Sequence, residues 1–233
     1  MMRKYLITAM SAISLTTAGA FAQTTAEQQK AMTPDQVLTD LVEGNKRYVT
    51  GALKSTSVDV AAARTITAKG QYPKATILSC LDSRVPVELV FDQVIGDIFV
   101  GRVAGNIVNE DQIGSMEFAT KLAGSKLVMV LGHTSCGAVK GACDGAKMGN
   151  LTALLSKIQP AVDAVKPTEK GEHNSSNKTF VNNVVEKNVE LTVAEIRKQS
   201  PVLSEMEKAG EIKIVGGVYD LESGKVTILE EAK

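Results

Sequence analysis

The pattern of apolar and polar positions divides most of the chain into alternating helices and strands. Thr33 to Gln36 form a capping box with proline at the first helical position, and apolar residues at helical spacing follow as far as Gly51. Short apolar runs at 75–80, 97–103 and 126–132 are typical of buried strands. Between and after them, further helices are predicted at 58–68, 86–92, 112–122, 138–143, 151–165, 180–199 and 202–209.

The last part of the chain predicts a hairpin. Apolar runs at 212–219 and 225–229 are separated by the turn sequence Glu222-Ser223-Gly224. Strands that alternate with helices favour a mainly parallel sheet, so we expect an α/β fold with flanking helices and an antiparallel C-terminal edge strand. Such sheets place functional sites beyond the carboxyl ends of their strands.

The N-terminus has the pattern of an export signal. Arg3 and Lys4 precede an apolar stretch at 6–20, and Ala20-Phe21-Ala22 supplies a cleavage motif. The stretch is shorter than the roughly 20 residues that span a bilayer, which favours cleavage over the alternative of an uncleaved anchor. We therefore predict a signal peptide at 1–22, a single domain at 23–233, a periplasmic location and no membrane association after cleavage.

Composition narrows the class of protein. Apolar residues make up 44% and charged residues 22% of the 233 residues, as in an ordinary globular protein. Equal numbers of basic and acidic residues, 26 each, imply no basic surface for nucleic acid. The three cysteines cannot all pair within one chain, so at least one thiol has another fate.

Two cysteines and a histidine suggest a metal site. Cys80 ends the first predicted strand, and His133 and Cys136 follow the third, so all three are expected at one edge of the sheet. Two thiolates and one imidazole leave tetrahedral zinc with one open position, as in catalytic sites. Cys136 also opens a predicted helix, where backbone N–H groups lower a thiol's pKa. The alternative is a Cys80–Cys136 disulfide, which an exported protein permits.

An acidic and a basic residue follow the first cysteine closely. Arg84 can hold Asp82 in a bidentate pair and leave a carboxylate oxygen near the open metal position. The alternative is an ordinary salt bridge within a loop.

Both halves of this candidate site resemble one known family. The segments CLDSRVP at 80–86 and GHTSCGAV at 132–139 resemble the paired signature of β-class carbonic anhydrases. GDIFVGRVAGN at 96–106 and GGVYDL at 216–221 resemble the family's intervening segment and closing hairpin, and the likeness runs from about Thr33 to Leu229.

The resemblance implies a role for each matched residue. One Zn²⁺ per chain would be held by Cys80, His133 and Cys136, and the hydration of carbon dioxide to bicarbonate and a proton would proceed by zinc-bound hydroxide oriented by Asp82 and Arg84. It further implies a homodimer or a dimer of dimers, with Gln71 and Phe118 reaching the site from the partner. The substrate-side positions that match the family are Gln71, Phe99, Ala104, Phe118 and Gly137.

Some positions depart from the family pattern. Family members with a bicarbonate-gated closed form have tryptophan where this chain has Ile77, although Arg102 matches the arginine of that pocket. Together with Gln71, Ile77 indicates the constitutively open subtype. Ala104 and Phe118 replace a valine and a tyrosine found in some members, and Cys143 has no role in the pattern. Two alternatives stay open: a carbonyl sulfide or carbon disulfide hydrolase of the same family, and a non-enzymatic zinc or redox thiol protein.

Overall fold

A computed structural model describes residues 23–229 and contains one five-stranded sheet. The strands are β1 (Ala75–Ser79), β2 (Ile98–Arg102), β3 (Leu127–His133), β4 (Lys213–Tyr219) and β5 (Val226–Ile228). The helices are α1 (Ala26–Ala31), α2 (Pro34–Thr50), α3 (Val60–Thr67), α4 (Val87–Val90), α5 (Glu110–Glu117), α6 (Gly137–Cys143), α7 (Gly149–Ser156), α8 (Gln159–Val165), α9 (Lys178–Gln199) and α10 (Pro201–Lys208).

The strand order is β2-β1-β3-β4-β5, and only the last pair is antiparallel. This confirms the predicted mainly parallel sheet with an antiparallel C-terminal edge. Because β1 and β3 are neighbours with Ser79 opposite Leu131, the residues that follow both strands emerge side by side. The topology therefore brings Cys80 next to the segment that begins at His133.

Helices cover both faces of the sheet. Successive side chains of a strand point to opposite faces, so Val128 and Val130 pack with α9 and its neighbours, whereas Met129 and Leu131 pack with α2 and α4. All of these residues are fully buried, and the largest fully buried side chains of the two clusters are Phe180 and Phe91. A sheet packed on both faces provides a rigid support for groups at the ends of its strands.

Three predicted helices differ from those observed. The single helix expected at 151–165 is two helices, α7 and α8, because Pro160 near the start of α8 has no N–H to continue the helical hydrogen bonds. The helix expected at 112–122 begins earlier, at Glu110, where Asn109 caps it, and ends in a π-helical turn at Phe118–Leu122. The helix expected at 86–92 is the four-residue α4. The short α1, with a capping box at Thr25, was not predicted.

Asp92 is a buried carboxylate that joins three segments of the chain. Its backbone is left-handed, with a φ of 52°, and its side chain accepts hydrogen bonds from the N–H groups of Lys54 and Ser55 and from Arg47 Nε at 2.5 Å. Burial raises the pKa of Asp92, but the hydrogen bonds from Arg47, Ser55 and Lys54 outweigh it and hold that pKa below its ordinary value. Asp92 is therefore an ionised structural anchor for α2 and the loop after it.

The predicted signal peptide at 1–22 lies outside the described residues, so cleavage and export stay predictions from the sequence. Within residues 23–229, none of the helices combines the length and apolar character needed to cross a membrane.

Candidate metal centre

Cys80, His133 and Cys136 converge in a buried cluster beyond the carboxyl ends of β1 and β3. Their ligand atoms all lie within 4.8 Å of one another, and the sulfurs of the two cysteines are 3.9 Å apart. Two sulfurs on one tetrahedral zinc, each at about 2.3 Å, are about 3.8 Å apart. Both cysteines are free thiols, so the structure does not contain the alternative disulfide.

His133 is oriented as a metal ligand. Its Nδ1 lies 3.0 Å from the carbonyl oxygen of Thr134, an acceptor that requires the proton to be on Nδ1. Nε2 then carries a lone pair, and it is buried with no hydrogen-bond partner among the described residues. A buried polar atom without a partner is costly, and an imidazole fixed through its other nitrogen is the usual arrangement of a histidine on a metal. The residues present therefore fit a zinc ion.

The two buried thiols shift each other's pKa in opposite directions. The contact between the two sulfurs lowers the pKa of Cys80, and the Gly105 N–H, which donates to the Cys80 sulfur, acts in the same direction. The pKa of Cys136 is raised by the same contact between the sulfurs and by burial. The N–H groups at the start of α6 do lower the pKa of Cys136, as expected, but the neighbouring Cys80 sulfur and burial outweigh them.

Asp82 and Arg84 form a bidentate pair beside the cluster. Arg84 Nε donates to Asp82 Oδ1 at 2.9 Å and Nη2 donates to Oδ2 at 2.7 Å, while the Arg84 backbone N–H bonds Oδ1 as well. These donors hold the pKa of Asp82 far below its usual range. Oδ2 also lies 3.7 Å from His133 Nε2, so this carboxylate faces the metal-ligand atoms while it is held by the arginine.

Arg102 fixes the loop that carries this pair. Its Nε donates to the carbonyl oxygen of Cys80 at 3.0 Å, and its Nη2 donates to the carbonyl oxygen of Asp82. The sequence indicated Arg102 only through the resemblance to a bicarbonate pocket. Its position as the last residue of β2, next to β1, is what directs it to the loop after β1.

The second half of the site is a tight turn between β3 and α6. Ser135 has a left-handed backbone with a φ of 56°, and its N–H donates to Asn182 Oδ1 on α9 at 3.2 Å. The Thr134 N–H donates to the Tyr219 carbonyl oxygen at 2.9 Å and ties the turn to β4. A strained turn held from two sides places Cys136 at the start of α6.

The predicted substrate-side residues fall into two groups. Gly137 is the first residue of α6, directly after Cys136, and it is exposed with open space where a side chain would be. Ala104 precedes Gly105, whose N–H bonds the Cys80 sulfur at 3.3 Å. These two residues are therefore beside the candidate metal centre.

Gln71, Phe99 and Phe118 are not brought to the metal ligands of the same chain. Gln71 is exposed and precedes the amino end of β1, whereas Cys80 follows its carboxyl end. The rings of Phe99 and Phe118 meet edge to face at 6.3 Å in a groove of about 630 Å³ along the β2 edge. Among the described residues lining this groove there is none of the three ligands.

Sequence reasoning assigned no role to Gly105. The signal for it was the glycine itself, because the turn requires a φ of 72° there and a Cβ would lie 2.5 Å from Ile158 Cδ1. Cys143, which also had no assigned role, is a half-buried free thiol whose pKa burial raises to about 11.

The fold and the cluster together define an α/β protein with a Cys/His/Cys metal-binding centre at the carboxyl edge of its sheet. The family model described as carbonic anhydrase matches residues 75–226. Carbonic anhydrase 2 of Mycobacterium tuberculosis is 37% identical over 191 residues, covering 81% of this chain and 89% of that protein. A carbonic anhydrase of Pseudomonas aeruginosa is 33% identical over 168 residues, covering 70% and 76% of the two chains.

Solved structures agree with this likeness. The Coccomyxa β-carbonic anhydrase in complex with acetazolamide has a TM-score of 0.62 at 26% identity, covering 82% of this chain and 86% of that one. A β-carbonic anhydrase of Aspergillus fumigatus has a TM-score of 0.66 at 24% identity, covering 84% and 92%, and shows the shared fold. The chain belongs to the β-class carbonic anhydrase family.

Proposed function

We propose that this chain is a zinc enzyme that catalyses the reversible hydration of carbon dioxide to bicarbonate and a proton. The observation that carries the proposal is the buried Cys80, His133 and Cys136 cluster, in which His133 Nε2 has no partner and Asp82 Oδ2 lies 3.7 Å away. When bound, zinc acts as a Lewis acid that lowers the pKa of a coordinated water and supplies a nucleophile near neutral pH.

Asp82 is proposed to orient the attacking water. Its carboxylate is ionised, since Arg84 holds its pKa far below the usual range, and it therefore only accepts hydrogen bonds. Oδ1 already accepts two hydrogen bonds, from Nε and the backbone N–H of Arg84, whereas Oδ2 accepts one, from Nη2, and has a further lone pair for the water. The O–H of the water then points at Asp82, so that a lone pair of the water oxygen faces carbon dioxide.

Arg84 and Arg102 are proposed to keep Asp82 in this position. Arg84 engages both carboxylate oxygens, and Arg102 fixes the loop carbonyls at Cys80 and Asp82. While Asp82 is held this way it does not compete for the metal, which supports the open subtype proposed from Ile77. The N–H of Gly137, an exposed residue at the positive end of α6, is suited to stabilise the negative oxygen of the product.

The remaining substrate wall is proposed to come from a second copy of the chain. Gln71, Phe99 and Phe118 lie away from the ligands of their own chain. Phe99 and Phe118 line the groove along β2, where Phe118 is 54% exposed, and Leu122 in the same π-helical turn is 76% exposed. An exposed apolar face of this kind is typical of a subunit interface. We propose a homodimer, or a dimer of dimers, in which this face of one chain closes the metal centre of the other.

Metal content measured together with carbon dioxide hydration tests the proposed function. The purified protein is expected to contain one zinc per chain and to hydrate carbon dioxide in a stopped-flow assay. Cys136→Ser is expected to lose most of its zinc and its activity, because a hydroxyl is a poor substitute for a thiolate ligand. Cys143→Ser, which changes the cysteine that lies outside the cluster, is the matched control and should retain both. Zinc-loaded protein without hydration activity, or an active protein without metal, would contradict the proposal.

The proposed assembly is tested by placing a charge on the apolar face. Phe118→Glu is expected to shift the protein to monomers in light scattering and to lose activity while each chain keeps its zinc. The control is Met148→Glu, which charges a side chain that is 68% exposed in the loop between α6 and α7. A fully active monomer would contradict the shared-site arrangement.

A further inference from the structure

An asparagine is buried among apolar residues on the inner face of α9. Asn188 is 3% exposed, and its neighbours Val185 and Val189 belong to the main core cluster. A buried amide costs free energy unless it is hydrogen-bonded. Its Nδ2 donates to the carbonyl oxygen of Gly105 at 2.9 Å. The amide thus connects α9 to the turn that follows β2.

That turn touches the candidate metal centre directly. Gly105 lies in the middle of the turn Ala104–Asn106, with a left-handed φ of 72°, and its N–H donates to Cys80 Sγ at 3.3 Å. Glycine has the greatest conformational freedom of any residue, so the peptide groups on either side of it rotate at low cost unless something holds them. Asn188 donates a hydrogen bond to the Gly105 carbonyl oxygen, and the Cys80 sulfur accepts one from the Gly105 N–H.

We propose that Asn188 is a positioning residue for the metal centre, which keeps the Gly105 N–H directed at the Cys80 sulfur. The inference rests on the proposed zinc site and deepens it. A hydrogen bond to a ligand sulfur fixes its lone pairs and reduces its negative charge, so partners beyond the ligands influence how strongly the metal is held. Asn188 acts through Gly105 and touches neither the metal-ligand atoms nor the substrate.

Zinc affinity is the first measurement. Asn188→Leu keeps a similar volume and removes the amide, and chelator competition is expected to show zinc bound about tenfold more weakly than in the unchanged protein. Thr192→Val, one turn further along α9 at another buried polar position, is the matched control and should leave the affinity unchanged. Asn188→Ala, which adds no bulk, is the second variant and carries the same expectation as Asn188→Leu.

Cobalt substitution is the second measurement, and it reports on the sulfur itself. With Co²⁺ in place of zinc, the thiolate-to-cobalt absorption band in the near ultraviolet is expected to shift to longer wavelength in both Asn188 variants. The physical reason is that a thiolate without its N–H hydrogen bond gives up electron density more readily. Thr192→Val should show the band of the unchanged protein.

The outcomes separate this inference from the proposed function. If the unchanged protein binds no zinc, the proposed function is wrong and the positioning role is overturned with it. If it binds zinc but the Asn188 variants match it in affinity and in the cobalt band, the positioning role is overturned and the zinc site stands. Equal changes in Thr192→Val would reveal a general disturbance of α9 and would also overturn the role. So would a failure of both Asn188 variants to fold when Thr192→Val folds, since Asn188 would then act on folding.

Discussion

Two buried polar clusters in this protein differ in whether every polar atom has a partner. Around Asp92, one carboxylate receives hydrogen bonds from Arg47 and from two backbone N–H groups, and the charge is matched within the chain. Around Cys80, His133 and Cys136, two thiols and an imidazole converge, and His133 Nε2 has no partner among the described residues. A buried charge whose hydrogen bonds are all made stabilises the fold, whereas a buried group of polar atoms with an unpaired member is suited to bind an ion from solution.

The same contrast appears in the pKa values. Asp92 and Asp82 both have a lowered pKa, and in both an arginine contributes. Asp92 is enclosed on all sides, but Asp82 keeps an oxygen facing the metal-ligand atoms. A shifted pKa by itself therefore does not separate a structural carboxylate from a functional one. The direction in which the carboxylate faces makes that distinction.

The largest expected effect is on the rate when Asp82 loses its charge. Asp82→Asn is expected to lower carbon dioxide hydration per bound zinc by about 100-fold, because the amide replaces an acceptor by a donor beside the reacting water. Zinc content should stay at one per chain, since Asp82 is not among the three ligands. Stopped-flow assays and metal analysis on the same sample make the test. An unchanged rate would remove Asp82 from the mechanism.

The next effect is on stability when Asp92 loses its charge. Asp92→Asn is expected to lower the free energy of unfolding by about 3 kcal/mol, because it removes the buried negative charge to which Arg47 and two backbone N–H groups donate. Activity per bound zinc in the folded protein should stay the same. Urea unfolding measures the change, and Asp35→Asn is the control, since Asp35 pairs with Lys213 on the surface and should cost less than about 1 kcal/mol. A loss of rate in Asp92→Asn without a loss of stability would show that Asp92 acts in catalysis and does not stabilise the fold.

The smallest effect is the dependence of stability on acid. Because the pKa of Asp92 is lower in the fold than its unfolded value of about 3.9, its contribution is complete above that value and is lost as the pH falls through the lower, folded pKa. Between about pH 5 and pH 3 the unchanged protein is expected to lose about 1 kcal/mol more unfolding free energy than Asp92→Asn. Urea unfolding at a series of pH values gives both curves. Parallel curves would show that the pKa of Asp92 is not lowered in the fold.

The sequence alone determined the sheet class and the candidate ligands, because both depend on local patterns. Buried strands give short apolar runs, and Cys80 stands at the end of one such run, as His133 does at the end of another. Asp82 and Arg84 are two residues apart, so their pairing needs only a loop that bends back on itself. The division of 151–165 into two helices was missed, although Pro160 was the signal for it.

Contacts between distant parts of the chain come from the tertiary structure. Asn188 lies 83 residues from Gly105, and Arg47 lies 45 residues from Asp92, so neither contact has a local signature. The fold also brings the two sulfurs to within 3.9 Å of each other, so each thiol shifts the pKa of the other. It separated Gln71, Phe99 and Phe118 from the ligands of their own chain. Local sequence sets which groups are present, but packing of the helices on the sheet sets which of them come within hydrogen-bonding distance.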